Sequence, residues 1–185
     1  VLLIIFSFPV LFLFGLLVYF TSKGPILFKQ ERVGLHGRKF YQYKLRSMVI
    51  DAEKLQQEYL HLNEQSGPVF KIKNDPRLTK VGKFIRKFSI DELPQLFNVL
   101  LGSMTLIGPR PPVPSEVKKY KDNQLRRLSM KPGITGLWQV SGRNKIRDFD
   151  KWVKLDLDYI DNWSFTLDFK IALKTVSTVL SGSGM

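Results

Sequence analysis

Two adjacent carboxylates, Asp91 and Glu92, are the residues of this chain whose type and setting most readily suggest chemistry. They lie in the stretch NDPRLTKVGKFIRKFSIDELPQLFN (74–98), behind the cations Lys80, Lys83, Arg86 and Lys87. Nearby bases favour the ionised form of a carboxyl group, and an ionised carboxylate can act as a nucleophile. Two carboxylates beside a diphosphate also make a hard, oxygen-rich site suited to Mg²⁺. A purely structural role fits the same residues. Ser89 and Glu92 match an S-x-x-E capping box, and Asp91 could itself cap a helix that carries Pro94 in its first turn. Capping and catalysis are compatible, because a helix start that receives a carboxylate also attracts phosphate.

Further anion candidates come from two loops. Arg110 sits in Gly108-Pro109-Arg110-Pro111-Pro112, where flanking prolines stiffen the backbone under a guanidinium suited to forked phosphate contacts. Arg143 follows the glycine-rich Gly133-Ile134-Thr135-Gly136, whose glycines would allow close approach of a ligand. Neither a G-x-G-x-x-G fingerprint nor a Walker A motif occurs, which disfavours dinucleotide and P-loop chemistry. Asp156-Leu157-Asp158 imitates a metal-binding D-x-D. On a helix the two side chains diverge, so they are taken as exposed face residues. Trp138, Trp152 and Trp163 are read as core or membrane-interface residues.

The elements that must position these groups begin with Val1–Phe20, an uncharged apolar run. As a helix it would span about 30 Å, the thickness of a hydrocarbon core. Pro9 predicts a kink and Ser7 could satisfy a freed backbone group, so the helix either crosses or turns back. Because the chain starts within this run, without Met or a basic lead-in, it is read as part of a longer protein rather than a preprotein. From Thr21 to Ile50 the bases are Lys23, Lys29, Arg32, Arg38, Lys39, Lys44 and Arg46, against the single acid Glu31. Such a segment beside an apolar helix points to the cytoplasmic side and to anionic headgroups. Residues 26–33 and 39–45 predict a β-hairpin around a Gly34–Gly37 turn. Helices are expected over 48–65, 78–88, 89–101, 115–128, 149–160 and 167–180, the last with Ile171, Leu173, Val176, Val179 and Leu180 as an apolar face, and residues 132–143 are expected as loop. The formal charge of +13 over 185 residues calls for an anionic partner, and the absence of cysteine excludes disulfides and Cys-ligated zinc.

Taken together, KLRSM (44–48), the 74–100 stretch, GPRP (108–111) and KPGITGLWQVSGRN (131–144) resemble the bacterial sugar transferase family, whose members are monotopic polyprenyl-phosphate phosphoglycosyltransferases. The resemblance implies an α+β, mostly α fold: a re-entrant membrane helix (1–22) and a cytoplasmic catalytic domain (23–185) with a short β-hairpin and membrane-surface amphipathic helices. It implies Asp91 as nucleophile toward a UDP-sugar, release of UMP, and transfer of the phosphosugar to polyprenyl phosphate, the step that initiates exopolysaccharide, capsule or O-antigen synthesis. Mg²⁺ would sit at the dyad, on Glu92, Asp91 or both. Lys44, Arg86, Arg110 and Arg143 would bind phosphate or nucleotide. Membrane lipid is an implied partner and nucleic acid is not; the location is the cytoplasmic face of the inner membrane. The long segment between Lys44 and Asp91 resembles the hexose branch, so glucose or galactose 1-phosphate is expected. The family's helix break is an adjacent Ser-Pro, whereas Phe8 here separates Ser7 from Pro9. Two rivals stand beside this reading. One is a basic, membrane-tethered anion-binding module, for which Asp91 would be dispensable. The other is an enzyme of the same overall reaction acting by direct displacement, with Asp91 as general base.

Overall fold

The computed structural model describes residues 1–142 and 146–182. Helix α1 (Leu2–Thr21) is one uninterrupted run that carries Pro9, and Ser7 Oγ donates to Ile4 O at 3.1 Å. The helix is long and apolar enough to cross a membrane, and most of its length is exposed. Only its C-terminal part is covered: Val18 is buried with Leu45 and Ile85, and Leu11, Phe14 and Ile26 pack around them.

Strands β1 (Leu27–Val33) and β2 (Lys39–Leu45) form the expected antiparallel hairpin, in a register that pairs Arg32 with Phe40, Gln30 with Gln42 and Phe28 with Lys44. Side chains alternate across a strand, so these six share one face. The hairpin is tied to α1 just beyond its end. The Arg46 guanidinium donates to Lys23 O, to Ser22 O at 2.8 Å and to Gly24 O at 3.2 Å, taking up carbonyls of the turn that follows the helix.

Residues 48–65 correct the expectation of a helix. They form turns with short 3₁₀ pieces at Lys54–Gln56 and Leu60–Leu62. Arg77 Nη1 donates to Ala52 O at 2.9 Å and Val49 N–H to Arg77 O at 2.9 Å, while Asp51 adopts φ 60°. A tertiary cross-tie thus takes a carbonyl that a helix would have used, and helical periodicity loses to it. The tie is itself fixed by a two-point pair, Arg77 Nε and Nη2 with Asp75 Oδ1 and Oδ2 at 2.9 and 2.6 Å.

Helix α2 (Lys80–Lys87) starts at a Thr79 cap, whose Oγ1 accepts from Gly82 N–H at 2.8 Å. A Cβ on Gly82 would fall 1.8 Å from Ser47 O, so only glycine lets α2 lie this close to the chain leaving β2. Helix α3 (Gln95–Leu100) follows, then β3 (Thr105–Ile107). The helix expected over 115–128 is instead α4 (Pro114–Val117), α5 (Asp122–Leu125) and a 3₁₀ turn over Arg126–Ser129. It restarts because Lys121 is extended and its N–H donates to Gln124 Oε1 at 3.0 Å, a cap that opens a new helix. Residues 132–143, expected as loop, include β4 (Gly133–Thr135), parallel to β3, and α6 (Leu137–Val140). Helices α7 (Phe149–Asp161) and α8 (Phe165–Leu180) complete the chain as predicted.

A second core joins α6 and α7. Trp138 and Trp152 stack at 3.8 Å, with Val69, Phe149 and Val153 packed about them. Each indole contributes roughly 4–6 kcal/mol of transfer free energy at most, on the basis of about 150–250 Å² buried. On α8 the apolar face divides. Ile171 is buried, whereas Phe165, Phe169, Leu173, Val176 and Leu180 remain exposed on turns three or four residues apart.

Candidate active site

Asp91 and Glu92 lie in a 3₁₀ turn, Ile90–Glu92, between α2 and α3. Neither predicted cap is present. Ser89 has φ 53° and makes no side-chain cap, and Pro94 rather than Asp91 precedes α3. The left-handed residue at 89 reverses the chain sharply after α2, and the carboxylates are displayed from that reversal rather than from a helix start. Asp91 is 5% exposed. Glu92 meets the hairpin: Lys44 Nζ lies 2.9 Å from Glu92 Oε1, both side chains largely covered.

The hairpin face carrying Lys44 aligns the turn with the rest of the site. One rung along, Gln42 Nε2 donates to Gln95 Oε1 at 3.1 Å. Asn98 docks on the β2 backbone, accepting from Tyr43 N–H at 3.1 Å and donating to Tyr41 O at 2.7 Å. Two buried amides of α3 therefore fix the dyad turn against β2. Arg86, in the last turn of α2, donates from Nε to Ser47 Oγ at 2.9 Å, so the chain leaving β2 holds a second cation beside the turn.

Arg110 arrives on a backbone whose carbonyls are taken one after another. Pro109 O accepts from Gly133 N–H at 3.0 Å, Arg110 O from Arg127 Nη2 at 3.3 Å, Pro111 O from Arg32 Nη1 at 2.9 Å and Pro112 O from Val33 N–H at 2.9 Å. Gly108 N–H donates to Thr135 O at 2.9 Å. The glycines at 133 and 136 serve this packing. A Cβ at Gly133 would lie 2.1 Å from Gly108 N, and one at Gly136 would lie 2.3 Å from Gly108 O. The glycine-rich segment thus approaches another loop, where the sequence suggested approach to a ligand. The half-buried Arg110 guanidinium lies over Trp152, 5.6 Å from the ring centre.

Behind this loop is a group that sequence reasoning misplaced. Asp156, expected on an exposed helix face, is 2% exposed. It pairs with Arg127 at 2.7 Å and accepts from Trp152 Nε1 at 3.0 Å, while Asp158 stays exposed and separate. Burial alone would lower the Arg127 pKa, but the charge of Asp156 beside it holds the guanidinium above its ordinary value. Arg127 also lies near the rings of Tyr120, Phe149 and Trp152.

Electrostatically, Lys44, Arg110, Asp91 and Glu92 belong together. Burial pulls the Lys44 pKa below its ordinary value; Glu92 and Asp91 raise it, and Arg32 and Arg110 lower it further. Of the predicted site residues, Lys44, Arg86, Asp91, Glu92 and Arg110 all reach this region, whereas Arg143 lies outside the described residues. Among the described residues no three His, Asp or Glu side chains converge as a metal cluster. A Mg²⁺ ion held here would draw on the Asp91–Glu92 pair and on substrate oxygens, a donor set that suits this ion.

The bacterial sugar transferase family matches residues 1–182. The chain belongs to that family. Among curated proteins it is 58% identical over 161 residues to the galactosyl transferase CpsE of Streptococcus agalactiae, covering 87% of this chain and 36% of that protein. It is 48% identical over 169 residues to the undecaprenyl-phosphate galactose phosphotransferase of Salmonella typhimurium, covering 87% and 34%. The exopolysaccharide production protein ExoY of Rhizobium meliloti is 38% identical over 186 residues, covering 98% of this chain and 81% of that protein. The chain thus spans about a third of the first two relatives and most of the third.

Proposed function

We propose that this chain transfers a hexose 1-phosphate from a UDP-sugar to polyprenyl phosphate at the cytoplasmic face of the membrane, an initiating step of exopolysaccharide assembly. The observation that carries the reading is Asp91: a buried carboxylate in a tight turn, one residue from a Lys44-bound Glu92 and within the field of Lys44. A carboxylate so placed has little solvent to shed before attack. An Asp91 oxygen attacks the sugar-linked phosphorus, the bond from that phosphorus to the bridging oxygen breaks, and UMP leaves with the electron pair. A phosphate oxygen of the polyprenyl acceptor then attacks the same phosphorus and displaces Asp91 as free carboxylate. Lys44, Arg86 and Arg110 offset the phosphate charge as it shifts from one oxygen to the next, and Arg143 is proposed to join them. Mg²⁺, held by the dyad, would stabilise the departing phosphate. Galactose is the first sugar to test, since two of the similar proteins are named for it.

The apolar length of α1 and the exposed stripe Phe165–Leu180 on α8 suit a domain held against the bilayer; we propose further that α1 enters and leaves one leaflet, as the family resemblance implies. The deciding experiment incubates the full-length protein with UDP-[¹⁴C]galactose and UDP-[¹⁴C]glucose without lipid. Acid-stable label on the wild type, absent from Asp91→Asn and discharged by undecaprenyl phosphate, is the expected result. Turnover with intersecting initial-rate lines and no bound label would instead establish direct displacement. EDTA should stop UMP release and Mg²⁺ restore it; full activity of metal-free protein would remove the metal from the reading.

A further inference from the structure

Arg32 was not among the predicted site residues, yet it occupies the same hairpin face as Lys44. The residue is 6% exposed. Nη1 donates to Pro111 O at 2.9 Å and Nη2 to Gln30 Oε1 at 2.6 Å, and Gln30 Nε2 in turn donates to Glu53 Oε1 at 2.8 Å. Nε is buried and has no partner among the described residues. No carboxylate pairs with this guanidinium among them either; its charged surroundings are Arg110, Glu116, Glu92 and Glu53 at longer range. Burial, with Arg110 second, pushes its pKa down to about 10. A buried cation lacking its own anion is costly and is relieved by any anion that approaches.

We propose that Arg32 is a positioning residue of the phosphate site: through Pro111 O it sets the backbone that presents Arg110, and its buried guanidinium, with no carboxylate paired directly to it among the described residues, adds to the positive field that Lys44 and Arg110 offer a bound phosphate. The inference rests on the function proposed above. The register is its main support. Arg32 and Lys44 project from one face of a two-stranded ribbon, one gripping the loop of Arg110 and the other gripping Glu92, so the ribbon sets the spacing between phosphate-binding loop and nucleophile turn. Arg127 holds the neighbouring carbonyl of the same loop, but it comes with its own carboxylate and so adds no free charge.

The test uses the full-length protein in detergent, with undecaprenyl phosphate saturating and whichever of UDP-galactose or UDP-glucose the wild type turns over. Arg32→Met should lower kcat/KM for the donor about 30-fold alone but less than about 3-fold in an Arg110→Met background, because it acts through Arg110. Inorganic pyrophosphate at constant ionic strength should raise the melting temperature of the wild type and not of Arg32→Met. Losses that multiply fully in the Arg110→Met background, or equal pyrophosphate stabilisation of both proteins, would each overturn the assignment. Should Arg32→Met fail to fold, Arg32→Gln, neutral but able to keep one hydrogen bond, is read in its place on the same coupling and pyrophosphate criteria. Asp91→Asn separates the two claims. Transfer surviving Asp91→Asn defeats the proposed function, whereas an inactive Asp91→Asn with multiplicative Arg32 and Arg110 losses defeats only this inference.

Discussion

Two buried arginines grip adjacent carbonyls of one loop, and they live in opposite electrostatic circumstances. Arg127 is paired with Asp156 and held above its ordinary pKa by that charge, among the rings of Tyr120, Phe149 and Trp152. Arg32 has no carboxylate partner among the described residues and is pushed below its ordinary value, first by burial. Geometry alone would give them the same task. The difference is that one charge is settled by the fold and the other is left for a ligand. A buried ion pair contributes shape and specificity, while an unpaired buried charge is stability forgone. The Arg127 side should therefore fail as structure when altered, and the Arg32 side should fail as chemistry.

The strongest challenge to that contrast is Asp91→Asn. Turnover should fall by about 10³-fold or more, as expected when a nucleophile is removed, while the melting temperature moves far less than for a broken core pair. Comparable loss of stability and activity would erase the distinction. Next comes Asp156→Asn, which strands Arg127 and should cost about 3–5 kcal/mol in urea titration. Combining it with Arg127→Met should recover part of that loss, because no buried charge then remains unpaired. A pH comparison sharpens the chemical side. The Lys44 pKa lies below the ordinary 10.5, so activity should begin to fall below that pH. Glu92→Gln removes an anion that raises it, and the alkaline limb of the residual activity should move down. The smallest effect concerns Asp75. Burial would raise its pKa, but hydrogen bonds from Arg77 hold it below 3.8. Its contribution is present above the unfolded value and lost as pH falls through the folded one, so stability measured from pH 5 down to pH 2 should include an acid-dependent part on the order of 1 kcal/mol that Asp75→Asn abolishes.

What the sequence made legible follows the range of the forces involved. The hairpin, α7, α8 and the long apolar helix rest on local periodicity, and they fall where expected. The segment 48–65 carries a helical pattern and is not a helix, because Arg77 reaches back to Ala52 O from 25 residues away. The dyad was visible as a pair, but its display on a 3₁₀ turn depends on Ser89 adopting φ 53°, which no residue type announces. Arg32 was within reach of sequence reasoning: alternation along the predicted hairpin puts it on the face of Lys44. The Arg127–Asp156 pair was not, since 29 residues separate its members and only tertiary packing brings them together.

The grip of Arg46 on the end of α1 has a consequence for anyone cutting the chain. A soluble version made by deleting the apolar helix looks straightforward on a hydropathy plot. It would leave Ser22, Lys23 and Gly24, whose carbonyls hold a guanidinium two residues beyond Lys44, as an untethered chain end, and would uncover Leu45 and Ile85 where Val18 now covers them. Helix and hairpin are thus one graft unit, to be moved or replaced together. A chimera that exchanges the helix should keep residues 11–24 with the catalytic part and place its junction upstream of Leu11, where the helix is mostly exposed.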